Sequence, residues 1–332
     1  MPEEILPGLY RLEIPLPNNP LKALNSYVFL GKERNLVVDT GFNRPESLAA
    51  MRAGLDDLGV DPARTDFFIT HMHADHSGLV ATLKADSSRV WCSAADGEVI
   101  NRVTAMPPSD PWWGQLQAFA CRNGFPAAEA EEAVRRHPGF RLGPESQVAF
   151  TTVAEGDRIT VDGYRFTCVA TPGHTGGHMC LYEPDAKILI SGDHVLRDIT
   201  PNISHWGVEG NPLGQYLSSL AKVAALDVKR VLPGHRRLFD DLAVRVDELT
   251  AHHHHRAAEV EVILDRGSMT AFEVASYMTW DMTYRQWADF PPHQKWFAVG
   301  EAIAHLRYLE SEGRVGRSER TDRILYEKTT PG

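Results

Sequence analysis

Three features are scarce in this chain of 332 residues: cysteine, long apolar runs and positive charge. Its four cysteines are scattered without CxxC spacing, which argues against a disulfide scaffold and favours reduced thiols in a cytoplasmic protein. No stretch approaches the roughly 20 apolar residues of a membrane span, and residues 1–6 are acidic and lack the apolar segment of an export signal. We therefore expect a cytoplasmic protein with no membrane partner.

The scarcity of positive charge bears on possible partners. The formal net charge is -10, from 34 Lys and Arg against 44 Asp and Glu. Proteins that bind phosphate backbones draw most of their affinity from clustered Lys and Arg, so this balance argues against a nucleic-acid partner. A hydrophobic content of 43% is enough to build cores, and the length corresponds to about two domains. The composition agrees with a soluble enzyme.

The chain does contain a dense set of metal-ligand side chains. His71, His73, Asp75 and His76 lie within six residues, directly after the apolar run 67–69, which predicts a buried strand. Histidine and aspartate suit zinc, and also iron or manganese. On an extended chain His71 and His73 share one face, whereas Asp75 and His76 have to turn away. The segment therefore predicts ligands for two adjacent metal ions.

Three further candidate ligands each follow an apolar stretch: His174, Asp193 and His235. Glycine or proline just before each of them allows a sharp turn that aims the side chain across the edge of a sheet. Taken alone, each is an ordinary loop residue. Taken with the first segment, they complete the ordered set HxHxDH, His, Asp, His.

This ordered set resembles the metallo-β-lactamase superfamily. The resemblance implies two metal sites that share a bridging aspartate and a water or hydroxide. The implied ligands are His71, His73 and His174 for one ion, Asp75, His76 and His235 for the other, and Asp193 as the bridge. Two divalent ions, with Zn²⁺ expected and Fe or Mn as alternatives, would lower the pKa of the shared water to about 7 and polarise the group it attacks. No serine or cysteine nucleophile is then needed, and Asp75 is expected to orient the attacking hydroxide.

The order of the elements indicates an α/β fold. Strands are expected over 9–14, 25–30 and 35–38, and they lead to Asp39 in a turn; in the family this aspartate is usually a structural residue near the metals. A helix over 45–58, a strand over 66–70 and a helix over 77–84 follow, and further strands from residue 148 begin a second half. We expect an αββα metallo-β-lactamase sandwich over residues 1–265, with the metals at one edge of its two sheets.

Two segments beside the motifs are candidates for binding substrate. Residues 102–145 contain a proline- and tryptophan-rich loop and two helical patterns, and we interpret them as a helical lid inserted into the first domain. The loop just after Asp193 is expected on the rim of the active site. The candidate substrate contacts are Trp112, Trp113, Arg197, Asn202, His205 and Trp206. His178 and His194, which neighbour motif residues, are expected not to be ligands.

The last residues differ in character. Residues 266–332 predict helices followed by a short hairpin, which resembles a winged helix. Residues 268–332 contain eight Lys or Arg against nine Asp or Glu, a net charge of -1, so this domain is expected to serve stability or contacts in a homodimer and not nucleic acid. The run of four histidines at 252–255 lies in a predicted helix, where 100° steps spread the rings around the axis and prevent one compact metal site.

Such a core with a winged-helix-like tail resembles the β-lactamase-like protein 2 branch of the superfamily, which is allied to hydroxyacylglutathione hydrolases. Asp193 and His235 are only 42 residues apart, without the large domain that RNA-processing members insert there. We therefore expect a dinuclear metal-dependent hydrolase of a small-molecule thioester, ester or lactone, in which the bridging hydroxide attacks the acyl carbonyl. Three alternatives stay open: an endoribonuclease or phosphodiesterase at the same metals, a mononuclear-iron persulfide dioxygenase, and a non-catalytic metal-binding module.

Overall fold

The computed structural model describes residues 1–107, 110–281, 284–320 and 322–329, so Pro108 and Ser109 of the proline- and tryptophan-rich loop lie outside the described residues. The chain forms two compact units. The first unit contains residues 1–106, 138–201 and 219–246, and the second contains residues 107–137, 202–218 and the described residues from 247 onwards. The domain boundary expected after residue 265 stays a prediction.

The larger sheet of the first unit has seven strands in the order of the sequence. The first four strands are antiparallel, and the last four pair in parallel from β4 to β7. The strands are β1 (Glu3–Leu6), β2 (Leu9–Pro15), β3 (Ala23–Phe29), β4 (Asn35–Val38), β5 (Thr65–Phe68), β6 (Val90–Ser93) and β7 (Thr151–Val153).

The second sheet has five strands in the order β12-β11-β10-β9-β8. In this sheet β11 and β12 pair in parallel, and the other three pairs of neighbouring strands are antiparallel. The strands are β8 (Arg158–Val161), β9 (Tyr164–Ala170), β10 (Met179–Glu183), β11 (Ile188–Gly192) and β12 (Arg230–Pro233).

Eleven α-helices occur in the described part of the chain. They are α1 (Pro45–Asp57), α2 (Ala74–Ser77), α3 (Val80–Leu83), α4 (Ala94–Ala105), α5 (Pro111–Arg122), α6 (Ala127–Arg135), α7 (Pro138–Leu142), α8 (Pro212–Ala224), α9 (Leu242–Leu264), α10 (Ala271–Tyr277) and α11 (Pro292–Ser311). No helix in the described residues has the length and apolar character needed to cross a bilayer.

The two sheets share one core, which confirms the sandwich expected from the sequence. In β4, Leu36 and Val38 pack into the core between the sheets, whereas Val37 packs into the core on the helical side. Successive side chains of a strand point to opposite faces. Because β4 is apolar on both faces, it is buried on one side by the second sheet and on the other side by helices. Met51 of α1 belongs to the helical side, and Phe166 of β9 belongs to the core between the sheets.

Residues 77–84, for which the sequence predicts one helix, have a different structure. The chain forms two short helices instead, and the first, α2, begins before the expected start and contains Asp75 and His76. The backbone N–H of Leu79 donates to the hydroxyl of Thr40, at 3.2 Å, and this interrupts the hydrogen-bond ladder between the two helices. The turn that carries Asp75 and His76 is therefore helical.

The second unit contains α5, α6, α10 and α11, together with a two-stranded hairpin of β13 (Val315–Arg320) and β14 (Arg323–Lys328). Thr270 and Glu273 form a capping box that starts α10. Lys295 of α11 forms an ion pair with Glu129 of α6, at 2.7 Å. The helices and hairpin expected in the tail are present, while their assignment as a winged helix stays a prediction. In the histidine run only His253 is buried, as expected for rings spread around a helix.

Candidate metal centre

Seven side chains of the first unit converge at one end of the sandwich. They form three overlapping groups whose ligand atoms lie within 4.8 Å of one another and could hold metal ions. The groups are His71 with His73 and His174, His71 with His76 and Asp193, and Asp75 with His76 and His235. These are the seven residues that the sequence motifs indicated.

The first group is built where β5 ends. His71 Nε2 and His174 Nε2 both lie 3.0 Å from His73 Nδ1. Burial, together with the neighbouring histidines, lowers the pKa of His71 well below its ordinary value and that of His73 to about 3. Both rings are therefore neutral at pH 7, the form of imidazole that binds a metal.

The second group combines one turn of α2 with the end of β12. His235 Nε2 lies 3.3 Å from His76 Nε2 and 3.4 Å from Asp75 Oδ2. Burial alone would raise the pKa of Asp75, but the hydrogen bond from His235 and the charge of His76 outweigh it and lower the pKa to about 2. Burial opposes the charge of His235, but Asp193 and Asp75 raise its pKa to about 10.

Asp193 lies between the two groups. Its Oδ1 is 3.5 Å from His76 Nε2, and its Oδ2 is 3.7 Å from His174 Nε2. The same Oδ2 lies 3.5 Å from His235 Nε2. Burial raises the pKa of this carboxyl group, but His235 and His76 outweigh burial and hold the pKa well below the ordinary value. Asp75 and Asp193 are thus buried anions, and this concentration of negative charge among histidine nitrogens fits a site for cations.

The backbone before Asp193 requires glycine. Gly192 has a φ of 48°, and a Cβ atom there would lie 2.8 Å from His178 Nε2. His178 Nε2 accepts a hydrogen bond from the backbone N–H of Asp193 at 3.2 Å, and His178 Nδ1 lies 2.8 Å from the hydroxyl of Thr171. Both ring nitrogens of His178 are therefore engaged by neighbouring groups behind Asp193. Neither His178 nor His194 belongs to any of the three groups found in the described residues.

The ligand rings are oriented by residues behind them. The hydroxyl of Thr70 lies 3.0 Å from His71 Nδ1, and the carbonyl oxygen of Ala23 lies 2.8 Å from His235 Nδ1. Asn25 donates to the carbonyls of Pro233 and Arg236, at 3.0 and 2.8 Å, and so holds the loop that carries His235. Since Nδ1 of each ring is engaged, Nε2 faces the site. No local pattern in the sequence indicates these roles for Thr70 and Asn25.

The candidate substrate contacts fall in different parts of the chain. Arg197 is half-buried in the first unit. In the second unit, Asn202 donates to Glu301 Oε2 at 3.1 Å, and Trp206 stacks on Trp296 with ring centroids 3.8 Å apart. The remaining candidates also lie in the second unit: Trp112, Trp113 and His205. Trp113 is buried against Trp112, and the role of all six residues in binding substrate stays a prediction.

Comparison with known proteins extends over almost the whole chain. Residues 21–235 match the model of the metallo-beta-lactamase superfamily, and residues 258–328 match that of the metallo-beta-lactamase-like C-terminal domain. A Caenorhabditis elegans protein named beta-lactamase-like protein 2 homolog is 24% identical over 90% of this chain and 84% of its own length. The probable metallo-hydrolase YqjP of Bacillus subtilis is 23% identical over 83% of this chain and 84% of its own length.

A solved structure shares this fold. A metallo-beta-lactamase family protein from Thermus thermophilus superposes with a TM-score of 0.83 at 28% identity, over 98% of this chain and 100% of that one. The sandwich, the convergent histidine and aspartate groups and the match over residues 21–235 agree with one another. The chain belongs to the metallo-β-lactamase superfamily.

Proposed function

We propose that this protein is a dinuclear metal-dependent hydrolase of a small-molecule thioester, ester or lactone, similar to hydroxyacylglutathione hydrolases. The observation that carries the proposal is the position of Asp193. One oxygen of its carboxylate faces His76 at 3.5 Å, and the other faces His174 at 3.7 Å, so one side chain serves both ligand groups. A carboxylate shared in this way suits two neighbouring cations better than one.

The donor set favours zinc. Five histidines and two aspartates offer borderline nitrogen and hard oxygen ligands, a combination common at Zn²⁺ sites, with iron and manganese as alternatives. When bound, two such ions supply a water of lowered pKa and polarise a carbonyl oxygen. In the proposed arrangement His71, His73 and His174 would hold one ion and Asp75, His76 and His235 the other, and Asp193, which lies between the two groups, would serve both.

Asp75 is the residue proposed to orient the attacking water. Its pKa of about 2 keeps it ionised at neutral pH, because the hydrogen bond from His235 and the charge of His76 outweigh the effect of burial. The ring of His235 is fixed through Nδ1, at 2.8 Å from the Ala23 carbonyl, so the position of Asp75 beside it is also fixed. An ionised carboxylate at this place can accept a hydrogen bond from the attacking water and orient it.

A thiol nucleophile is disfavoured. Burial raises the pKa of Cys168 and of Cys180 to about 12, and it raises the pKa of Cys92 and Cys121 as well. The thiolate is the reactive form of cysteine, and it is scarce at pH 7 when the pKa is this high. This supports metal-assisted attack by water.

An acyl substrate is favoured over RNA for two reasons. The net charge of -10 repels a polyanion, and Asp193 and His235 are only 42 positions apart, too close for the domain expected for RNA processing. The name of the Bacillus subtilis relative, a probable metallo-hydrolase, supports hydrolysis without naming a substrate.

The deciding experiment is a substrate screen on protein whose metal content has been quantified. Acyl-glutathione, acyl-CoA, lactone and bis-nitrophenyl phosphate are compared on the same preparation. We expect two zinc ions per chain and the highest kcat/KM on a thioester, ester or lactone. A preference for the phosphodiester would overturn the proposal in favour of the nuclease alternative, and one iron per chain with consumption of oxygen would favour the persulfide dioxygenase.

A further inference from the structure

A buried carboxylate outside the metal-ligand groups lies behind the first of them. Asp96 is the third residue of α4, and Ser93, at the N-cap of that helix, accepts a hydrogen bond from the Asp96 backbone N–H at 3.2 Å. Only 2% of the Asp96 surface is exposed. A Ser-x-x-Asp pattern before a helix predicts a cap, so the sequence alone assigns Asp96 no further role.

The carboxylate of Asp96 contacts two separate ligand segments. Oδ2 accepts from the backbone N–H of Met72 at 2.9 Å and from the hydroxyl of Thr175 at 2.5 Å. Oδ1 accepts from the backbone N–H of Gly177 at 2.8 Å. Met72 stands between His71 and His73, and Thr175 follows His174, so one side chain connects the two segments that supply the first ligand group.

The packing around Asp96 leaves little freedom in this connection. A Cβ atom on Gly177 would overlap Ser93 Oγ and lie 2.7 Å from Asp96 Oδ1, so the turn after His174 rests directly on the start of α4. Thr175 is buried as well, with 4% of its surface exposed. Two oxygens accept three donors here, and an amide in place of the carboxylate has one oxygen only, so at least one buried donor would lose its partner.

We propose that Asp96 is a positioning residue that fixes the His174 turn against the His71–His73 segment and thereby sets the spacing of the first ligand group. The inference rests on the proposed metal centre but not on the identity of the substrate. Its consequence is selective: loss of the carboxylate disturbs the group of His71, His73 and His174, whereas the second group, which Asp96 does not contact, keeps its geometry.

The test compares Asp96→Asn with Asp66→Asn. Asp66 is a matched control in the same unit, because it is also 2% exposed and also accepts from a backbone N–H, that of Arg89 at 2.9 Å. Its charged partners are Arg34 and Arg89, which are not part of a ligand segment. Zn²⁺ dissociation constants are measured by competition with a chelator on metal-depleted protein, and the visible spectrum of the Co²⁺-loaded protein reports the ligand geometry.

We expect Asp96→Asn to lower the affinity for one of the two Zn²⁺ ions by about 10 to 100-fold, as for other residues that orient metal ligands. The spectrum of the Co²⁺-loaded protein is expected to change as well. Asp66→Asn is expected to bind both ions as the unchanged protein does, even if it unfolds more readily. Equal Zn²⁺ affinity in Asp96→Asn and the unchanged protein overturns the inference. So does an equal loss in the two variants, because the loss would then follow from stability alone.

A second pair of variants decides the matter if Asp96→Asn does not fold. Thr175→Val keeps the volume of the side chain and removes the donor to Asp96, whereas Thr175→Ser keeps the donor. We expect Thr175→Val to bind one Zn²⁺ ion more weakly than Thr175→Ser, and equal affinities would overturn the inference. Because Zn²⁺ binding is measured without substrate, a failure of the proposed hydrolysis is recognised separately, by an inactive protein that still shows these differences.

Discussion

Asp39 Oδ2 lies 2.7 Å from His76 Nδ1. The same carboxylate accepts from the backbone N–H and the hydroxyl of Thr70, at 2.9 and 2.8 Å. Burial opposes a charge on His76, but Asp39 and Asp193 outweigh burial and raise its pKa well above the ordinary value. Asp39 itself has a φ of 60°, in the left-handed region that aspartate tolerates better than most residues. Asp39 thus fixes the ring of His76, a candidate metal ligand, which agrees with the structural role expected from the sequence.

Replacing Asp39 by asparagine should weaken metal binding. Asparagine keeps the size of the side chain but lacks the charge that holds His76, so we expect metal affinity and kcat to fall by about 10 to 100-fold. The Zn²⁺ content after dialysis against graded chelator, together with kcat on the best substrate of the screen, checks this. Asp66→Asn serves again as the control, and unchanged zinc retention in Asp39→Asn would contradict the role of Asp39.

Asp193→Ala should have a larger effect. Removing the carboxylate that faces His76 and His174 takes a ligand from both ions of the proposed centre. We expect activity to fall by several orders of magnitude and at least one metal ion to bind more weakly, as measured by kcat/KM and by metal analysis. Asp198→Ala is the matched control, because Asp198 is an aspartate of the same loop that pairs with Arg237 on the surface. Near-normal turnover of Asp193→Ala with full metal content would exclude the dinuclear mechanism.

The sequence indicated the side chains that cluster in the candidate metal centre because the segments that carry them follow strands, and strand ends can be recognised locally. It did not predict the supporting roles of Asp96 and His178. Asp96 meets Thr175 across 79 residues of chain, and this contact exists only once the two sheets are packed. His178 meets Asp193 across 15 residues, and this contact exists only once β10 and β11 are paired. The break between α2 and α3 was also missed, since the hydrogen bond from Leu79 to Thr40 at this break depends on a distant turn. Residues that support ligands are therefore found from the folded structure.

Basic side chains of the second unit are largely neutralised by ion pairs. Arg307 and Arg317 both pair with Glu310, and Lys328 pairs with Asp265. Because binding to nucleic acid needs cations that are available to phosphates, we expect no salt-sensitive binding of duplex DNA or RNA. Fluorescence anisotropy with labelled duplexes, at about 50 and about 200 mM salt, checks this. Sub-micromolar binding that weakens steeply with salt would contradict the prediction and favour the nuclease alternative.

Two buried histidines of the second unit form a pair that disfavours protonation. His253 Nδ1 lies 3.3 Å from His305 Nε2, and His305 Nδ1 lies 2.8 Å from the carbonyl oxygen of Glu301. Burial lowers the pKa of His305 to about 4 and that of His253 well below its ordinary value. The hydrogen bond with the Glu301 backbone and the charge of Glu259 oppose this lowering of the His305 pKa, and the charge of Arg256 contributes to it.

This pair should make stability depend on pH. A histidine in an unfolded chain has a pKa of about 6.5, whereas the pKa of folded His305 is about 4. Between these two pH values His305 is protonated in the unfolded chain and neutral in the folded protein. The stabilising contribution is therefore fully present above about pH 6.5 and is lost as the pH falls toward about 4, at about 1.4 kcal/mol per pH unit. We expect the free energy of unfolding of His305→Gln to fall less than that of the unchanged protein between about pH 6.5 and about pH 5, by about 2 kcal/mol, in urea unfolding of metal-depleted protein followed by tryptophan fluorescence. His255→Gln, which alters an exposed histidine of α9, is the control. An identical pH dependence in His305→Gln and the unchanged protein would show that His305 does not titrate in this window.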